Sequence, residues 1–207
     1  MAIFNTVYGG SDTRLPAEYK EVERIWWTNW SNSNPQVYID TWITTSNNIW
    51  AYTEMLHTAT RDNVQWFTNT LPNNTVRRWL TTYPSWKWCP QWETWRQTNI
   101  AHNINQFYDI KLNWNNNKKC DIDWTTIYNC TNTTFSSNNT IRIWDITYSW
   151  YWWKCKFFKI SDWTTLVRDL VPCYRKSDSV IWMYDLVWKQ FYTNAGSWTF
   201  TKWPDVN

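Results

Sequence analysis

The chain has 207 residues, with 20 Lys and Arg against 17 Asp and Glu and a formal net charge of +3. That length suits one large domain or two small ones and can bury a core without disulfides. The near-balance of charge, with no block of one sign, argues against nucleic acid as a partner, and no apolar run reaches the length of a membrane span.

Residues 1–13 read as a polar N-terminal leader or linker ending near Gly9-Gly10-Ser11, and residues 14–207 as one domain. The opening MAIFNTVYGG lacks the basic start and apolar stretch of a secretory signal. The expectation is synthesis and folding in a cytoplasm, or export by another route. Ala17 to Ile25 is the best helix candidate, but its apolar face is thin. Val37 to Thr41 is β-branched and aromatic and predicts a strand. Tyr108, Ile110 and Leu112 alternate with polar neighbours at the period of a half-buried strand, followed by a turn at 114–117. Further strands are predicted from Ile141 to Tyr148, from Lys154 to Ile160, and from Thr165 to Val171 with a stop at Pro172. Val180–Tyr184 and Gln190–Tyr192 read as a closing hairpin. No repeat of fixed period is present. Many short strands separated by turns, with heavy Asn and Thr use, predict an all-β, two-sheet antiparallel sandwich.

Turns of this number need glycine, and the chain has 3 glycines against 22 tryptophans. About 14 glycines are expected at ordinary usage of roughly 7%. Asn29-Trp30, Asn113-Trp114, Asp123-Trp124 and Asp162-Trp163 all sit at polar breaks beside strand-like runs. With glycine in place of tryptophan these are Asn-Gly and Asp-Gly, the strongest short hairpin signals. A codon explanation accounts for both counts: UGA is read as Trp by some genetic codes and as Gly by others. The expectation is that most of the tryptophans stand for glycines, many of them in exposed turns with positive φ. A genuinely Trp-rich protein with aromatic platforms for sugars or bases accounts for the excess of Trp but not for the missing Gly.

Candidate chemistry is sparse. Cys89, Cys120, Cys130, Cys155 and Cys173 form no C-x-x-C pair, and His57 and His102 are remote from any pair of them, so no zinc site is expected and the cysteines read as free or buried thiols. A glycosidase needs two carboxylates at a defined separation. Among Glu18, Glu21, Glu23, Asp109, Asp121, Asp123, Asp145 and Asp169, only Glu21/Glu23 and Asp121/Asp123 have the two-residue spacing that puts both on one face of a strand. Both pairs read as solvated carboxylates, with Asp121 and Asp123 a candidate Ca²⁺ site in the loop; otherwise no cofactor is expected. Nothing orients Cys89 toward His102, and no G-x-S-x-G elbow or phosphate-binding glycine loop is visible with Trp read either way. The Asn-x-Thr/Ser sequons at Asn73-Asn74-Thr75 and Asn138-Asn139-Thr140 are expected by chance from this composition.

Two segments carry a family resemblance. Arg14-Leu15-Pro16-Ala17-Glu18-Tyr19-Lys20-Glu21-Val22-Glu23, followed by Val37-Tyr38-Ile39-Asp40-Thr41-Trp42-Ile43, resembles the LP-x-x-Y-x-E-V-E … Q-Y-I-D-T-G-I opening of laminin-G-like/concanavalin A-like domains in tail-associated proteins of tailed phages. The closing run from Leu166 through Val171-Pro172-Cys173-Tyr174-Arg175-Lys176 to Asp178, then Ile181-Trp182-Met183-Tyr184-Asp185, Phe191-Tyr192-Thr193-Asn194 and Gly196-Ser197-Trp198-Thr199-Phe200, is similar to L-V-R-D-F-I-P-C-Y-R-K-x-D … I-G-x-Y-D … F-Y-T-N-x-G-x-G-x-F. Trp42, Trp182 and Trp198 stand where that pattern has glycine.

The resemblance implies a jelly-roll sandwich in a virion or prophage protein, assembled in the host cytoplasm, with a structural or host-surface-binding role and no catalysis. Implied partners are other virion or tail proteins and a host cell-surface glycan; nucleic acid and membrane insertion are not expected, and a homo-oligomer stays open. Within the closing run, Arg168 and Asp169 are expected to alternate with core residues and pair across strands, Cys173 to be core, and Arg175 and Lys176 to be turn charges. The alternative is that Tyr174 and Arg175 line a ligand groove. Two other functions remain: a bacterial surface lectin or adhesin, and a glycoside hydrolase on the same fold.

Overall fold

The computed structural model describes residues 14–28, 38–44, 46, 48–57, 64–65, 67–68, 79–83, 87–91, 103, 105–113, 119–129, 140–143, 152–195, 200–202 and 204–206. Every regular element among them is a strand: β1 (Tyr19–Glu21), β2 (Ile25–Thr28), β3 (Ile39–Thr44), β4 (Ile49–His57), β5 (Val64–Gln65), β6 (Phe67–Thr68), β7 (Trp79–Tyr83), β8 (Lys87–Gln91), β9 (Tyr108–Asn113), β10 (Lys119–Ile122), β11 (Thr125–Asn129), β12 (Thr140–Ile143), β13 (Trp152–Asp162), β14 (Thr165–Arg175), β15 (Ile181–Asp185), β16 (Gln190–Tyr192) and β17 (Thr201–Lys202). The leader at 1–13, the turn at 114–117, Asn29-Trp30 and the run beyond Ile143 to Tyr148 lie outside the described residues.

The large sheet runs β11-β10-β9-β4-β13-β14-β15-β16, with β1 added to β14, and β2 bridging β13 and β17. Two small sheets, β3-β12-β6 and β5-β7-β8, complete the set. All pairings are antiparallel. The chain leaves the large sheet after β2 for β3, returns at β4, leaves for the small-sheet strands β5 to β8, returns at β9, and leaves once more for β12 before returning at β13. The inner face of the large sheet and β3-β12 share one core. Ala51, Met55, Ile110, Leu112, Phe158, Ile160, Leu170 and Met183 come from the large sheet, and Ile39, Ile141 and Ile143 from the small one. This is the all-β antiparallel sandwich that the alternation predicts. β9 shows the cause most plainly, with Tyr108, Ile110 and Leu112 buried and Asp109, Lys111 and Asn113 half-buried.

Two expectations are corrected. The helix candidate Ala17 to Ile25 is not helical: it contains β1 and the start of β2. Tyr19, Lys20 and Glu21 pair with Arg175, Tyr174 and Cys173. The thin apolar face that weakened the helix is enough for an edge strand, where Tyr19 stacks on Phe191 at 4.9 Å. The second correction is at Pro172, which does not stop its strand: β14 runs through it to Arg175. The Pro172 carbonyl accepts from the Val22 N–H at 3.1 Å, so its missing N–H falls on the same side. There the pairing with β13 ends at Leu170 and that with β1 begins at Cys173. No ladder donor is demanded at that junction, which is how a strand interior tolerates proline.

The hairpins are tight. Ile122 pairs with Thr125 around Asp123 and Trp124, whose φ values are 46° and 64°. Two consecutive positive values are the signature of a type I′ turn. Asp162 pairs with Thr165 around Trp163, at φ 51°, and Thr164, which is not in the positive region. That is the pattern of a type II′ turn, with the glycine position first. Both dipeptides were singled out from sequence as hairpin signals.

Candidate functional site

The outward face of β9, β4 and β13 brings polar and aromatic side chains into register. Along β4, Ala51, Thr53 and Met55 are buried, so Trp50, Tyr52 and Glu54 take the other face. Strand pairing sets Tyr52 between Lys111 and Lys159, with Asp121 beyond Lys111 and Asp169 beyond Lys159. One step along, Glu54 lies between Asp109 and Phe157. A bulge between Cys155 and Phe157 inserts Lys156. Cys155 and Phe158 therefore both face the core, and Lys156 joins the outward set.

Tyr52 is the pivot of this face. Its hydroxyl donates to Asp109 Oδ1 at 2.8 Å. Its ring lies 4.9 Å from Phe157 and 6.0 Å from Trp124. Lys156 pairs with Glu54 and its Nζ sits 4.5 Å above the Phe107 ring. Lys159 Nζ is 3.5 Å from Asp169 Oδ2, and Lys111 Nζ is 4.9 Å above the Trp50 ring. At the β10 edge Lys119 pairs with Asp121 at 3.0 Å, and Thr126 donates to the same carboxylate at 2.7 Å. Burial raises the Asp169 carboxyl above its ordinary 3.8, against the opposing pull of Lys159 and Arg14.

Each carboxylate here has a lysine or hydroxyl partner, but Asp169 Oδ1 is buried without a hydrogen bond. Aromatic faces with flanking donors and acceptors can stack on and hydrogen-bond a polar ring. General acid catalysis needs a carboxyl kept protonated near neutrality beside a second at the right separation. Glu54 and Asp109 are register partners across β4 and β9, but Glu54 is ion-paired and Asp109 accepts the Tyr52 hydrogen bond.

The residues singled out from sequence do not form one site. Glu21 pairs with Arg14 and Glu23 with Arg24; neither carboxylate belongs to the Tyr52 row, although the Arg24 guanidinium lies over the same Phe107 ring as Lys156. Asp121 faces Lys119, whereas Asp123 turns to accept the Asp109 N–H at 2.9 Å. Among the described residues, no group of three His, Cys, Asp or Glu is arranged to hold a metal. Tyr174 and Arg175, adjacent on a strand, point to opposite faces. Tyr174 donates to Asp205 at 3.2 Å, and Arg175 pairs with Asp178 in the following turn. Lys176 Nζ donates to the Ala17 carbonyl at 2.6 Å. Cys173 is buried with Leu15, Val171 and Tyr184 on the outer face of the large sheet. Asp169 makes the cross-strand pair with Lys159, whereas Arg168 reaches into the core toward Asp185 at 3.5 Å. Asp145, His102, Cys130, the sequon at 73–75 and the asparagines of the sequon at 138–140 lie outside the described residues, as does the side chain of Cys89.

Tyr52, Glu54, Lys156 and Lys159 were missed from sequence as site residues. The signal for the first two is the alternation of Ala51, Thr53 and Met55, obscured because the buried middle residue is a threonine.

The described tryptophans fall into distinct environments. Trp42, Trp124 and Trp163 have positive φ and are 66–71% exposed. Trp188 is exposed over the Arg168 guanidinium at 4.1 Å. Trp182 is buried, with its ring edge-on to Phe200 at 5.2 Å.

No family model matches this chain, and no curated protein matches it. Among solved structures it is similar to the β-glucanase of Bacillus licheniformis, with a TM-score of 0.43 and 10% identity, over 66% of this chain and 94% of that one.

Proposed function

We propose that this chain is a non-catalytic β-sandwich domain of a tailed-phage tail-associated protein that engages a host cell-surface glycan through the outward face around Tyr52. The observation that carries the reading is the row Asp121–Lys111–Tyr52–Lys159–Asp169. It offers an aromatic ring flanked by charges of both signs, on carboxylates already neutralised by lysines and hydroxyls. Such a face suits a polar ring held by stacking and hydrogen bonds. The matched opening and closing segments support the tail-associated setting, with other virion proteins as neighbours and the virion as location. The gene is further proposed to use UGA for glycine at many of the 22 positions written as tryptophan.

The test is binding of the purified chain to immobilised host cell-surface polysaccharide, with Tyr52→Ala and Asp109→Ala beside it. Loss of binding in both variants, with unfolding midpoints near that of the parent, supports the site. Unchanged binding in Tyr52→Ala refutes it. The register pairing of Glu54 with Asp109 favours one alternative, glycoside hydrolysis. Reducing ends released by the parent and lost in Glu54→Gln would establish that alternative.

A further inference from the structure

Among the described residues, seven other than glycine have positive φ: Trp42, Asn105, Asp123, Trp124, Trp163, Ser179 and Lys189. Asn and Asp are at home there, because their short side chains bond locally. Tryptophan is not, because its Cβ crowds the following carbonyl. The chain's glycines, Gly9, Gly10 and Gly196, all lie outside the described residues, so none of these turns contains one.

The three tryptophans gain little in return for this geometry. Their side chains are 70%, 71% and 66% exposed. Trp42 accepts its place through its backbone N–H, which donates to Asp40 Oδ1 at 2.9 Å. It sits in β3 where Thr41, Trp42 and Ile43 oppose the single residue Ile141, an irregularity of the kind that uses a left-handed residue. Trp163 likewise uses its backbone: its N–H donates to Asn48 O at 2.9 Å, and its carbonyl accepts from Trp50 Nε1 at 2.7 Å. Glycine would keep every one of these bonds. Trp124 occupies the second position of the type I′ turn, the glycine of Asp-Gly; its ring meets Tyr52 at 6.0 Å.

Trp50 is the opposite case. It lies near the start of β4, paired with Asn113 and Ser161, and its indole donates to Trp163 O and lies beneath Lys111 Nζ. Glycine there would abolish both contacts and weaken the strand.

We infer that the functional chain carries glycine at positions 42, 124 and 163 and tryptophan at position 50. Its host translation system therefore decodes UGA as glycine and UGG as tryptophan, which needs a glycine-charged tRNA that pairs with UGA. This deepens the codon proposal above by assigning individual positions.

The test reads the gene's codons at these four positions and the masses of the corresponding peptides from the native protein. UGA at 42, 124 and 163 with glycine-sized residues, and UGG at 50 with a tryptophan-sized one, is the expected result. UGG at any of the three, or UGA at 50, overturns the assignment. UGA at other tryptophan positions in that event would leave the general codon reading standing, whereas UGG at all 22 would overturn both. A second measurement compares the chain as written with Trp42→Gly/Trp124→Gly/Trp163→Gly in denaturant. The triple variant is expected to have a folding equilibrium constant at least about ten-fold larger, from relief of Cβ crowding at three left-handed residues, less the backbone entropy of glycine. Trp50→Gly is expected to lower the constant. A triple variant no more stable than the parent overturns the assignment.

Discussion

Arg168 and Asp185 are 1% and 0% exposed, and Arg168→Met probes what they do there. Arg168 Nε donates to the Thr41 carbonyl of β3 at 3.0 Å and Nη1 to the Val167 carbonyl at 2.7 Å, so one side chain ties the large sheet to the small one. Asp185 Oδ1 accepts the N–H groups of Asp169 and Val187 at 3.1 and 2.9 Å. Its Oδ2 has no hydrogen bond and faces Arg168 Nε at 3.5 Å. Methionine fills much of the arginine stem's volume but leaves the Asp185 carboxylate buried without its countercharge. Breaking a buried pair from one side costs about 3–5 kcal/mol. At roughly 2–4 °C per kcal/mol for a chain of this size, the melting midpoint should fall by about 6–20 °C. The double variant Arg168→Met/Asp185→Asn removes the stranded charge and should recover more than half of the loss. Urea unfolding at neutral pH, followed by intrinsic fluorescence and circular dichroism, measures both. A loss of under about 1 kcal/mol in Arg168→Met would refute the reasoning, since such values belong to exposed pairs.

Asp169→Asn tests the opposite balance. Because burial raises this carboxyl, it favours the folded state when protonated, and that contribution is lost as pH rises through the folded-state pKa. Asp169→Asn should therefore gain stability relative to the parent as pH is raised from below 3.8 to neutrality; a relative loss over that range in paired urea titrations would contradict the sign. The thiols of Cys155 and Cys173 are pushed up to about 12 by burial, and burial also raises Cys120. All three should resist alkylation at pH 8 in the folded protein and react on unfolding, read by peptide mass spectrometry. Trp182 has a buried indole N–H with no hydrogen-bond partner. Trp182→Phe should cost less than about 1.5 kcal/mol in chemical denaturation, whereas Trp182→Ala should cost about 3–5 kcal/mol through the cavity it opens.

The parts of the fold legible in sequence are those where one face of a strand is uniformly apolar. β9 and the β15–β16 hairpin are of this kind. β4 was not legible, although it lies between β9 and β13 in the large sheet. Its inward row contains Thr53, whose hydroxyl is satisfied by the Phe157 carbonyl of the neighbouring strand, a partner that no local pattern announces. Pro172 misled for a related reason. Proline forbids a ladder donor only where one is required, and the requirement depends on β1 giving way to β13 along the edge of β14. Arg168 is expected from sequence to alternate with core residues and pair across strands, and it is itself among the largest fully buried side chains. Its partner Asp185 is 17 positions away and becomes adjacent only through the β14–β15 register.

The turns were legible because their chemistry is local. Asp123-Trp124 and Asp162-Trp163 close hairpins with φ values that suit glycine, and the sequence signal needed only two adjacent residues. The face around Tyr52 needed five strands and a bulge, so its members are scattered from Trp50 to Asp169. Position 182 shows where local reading and packing part. The resemblance puts glycine there, but the backbone is ordinary strand, and the indole fills space between Phe191 and Phe200 at 6.5 and 5.2 Å. Its unpartnered N–H is the cost of that filling. Positive φ thus separates Trp42 from Trp182, although the resemblance alone treats the two alike. A glycine at 42 relieves a strained backbone, whereas a glycine at 182 would empty part of the core.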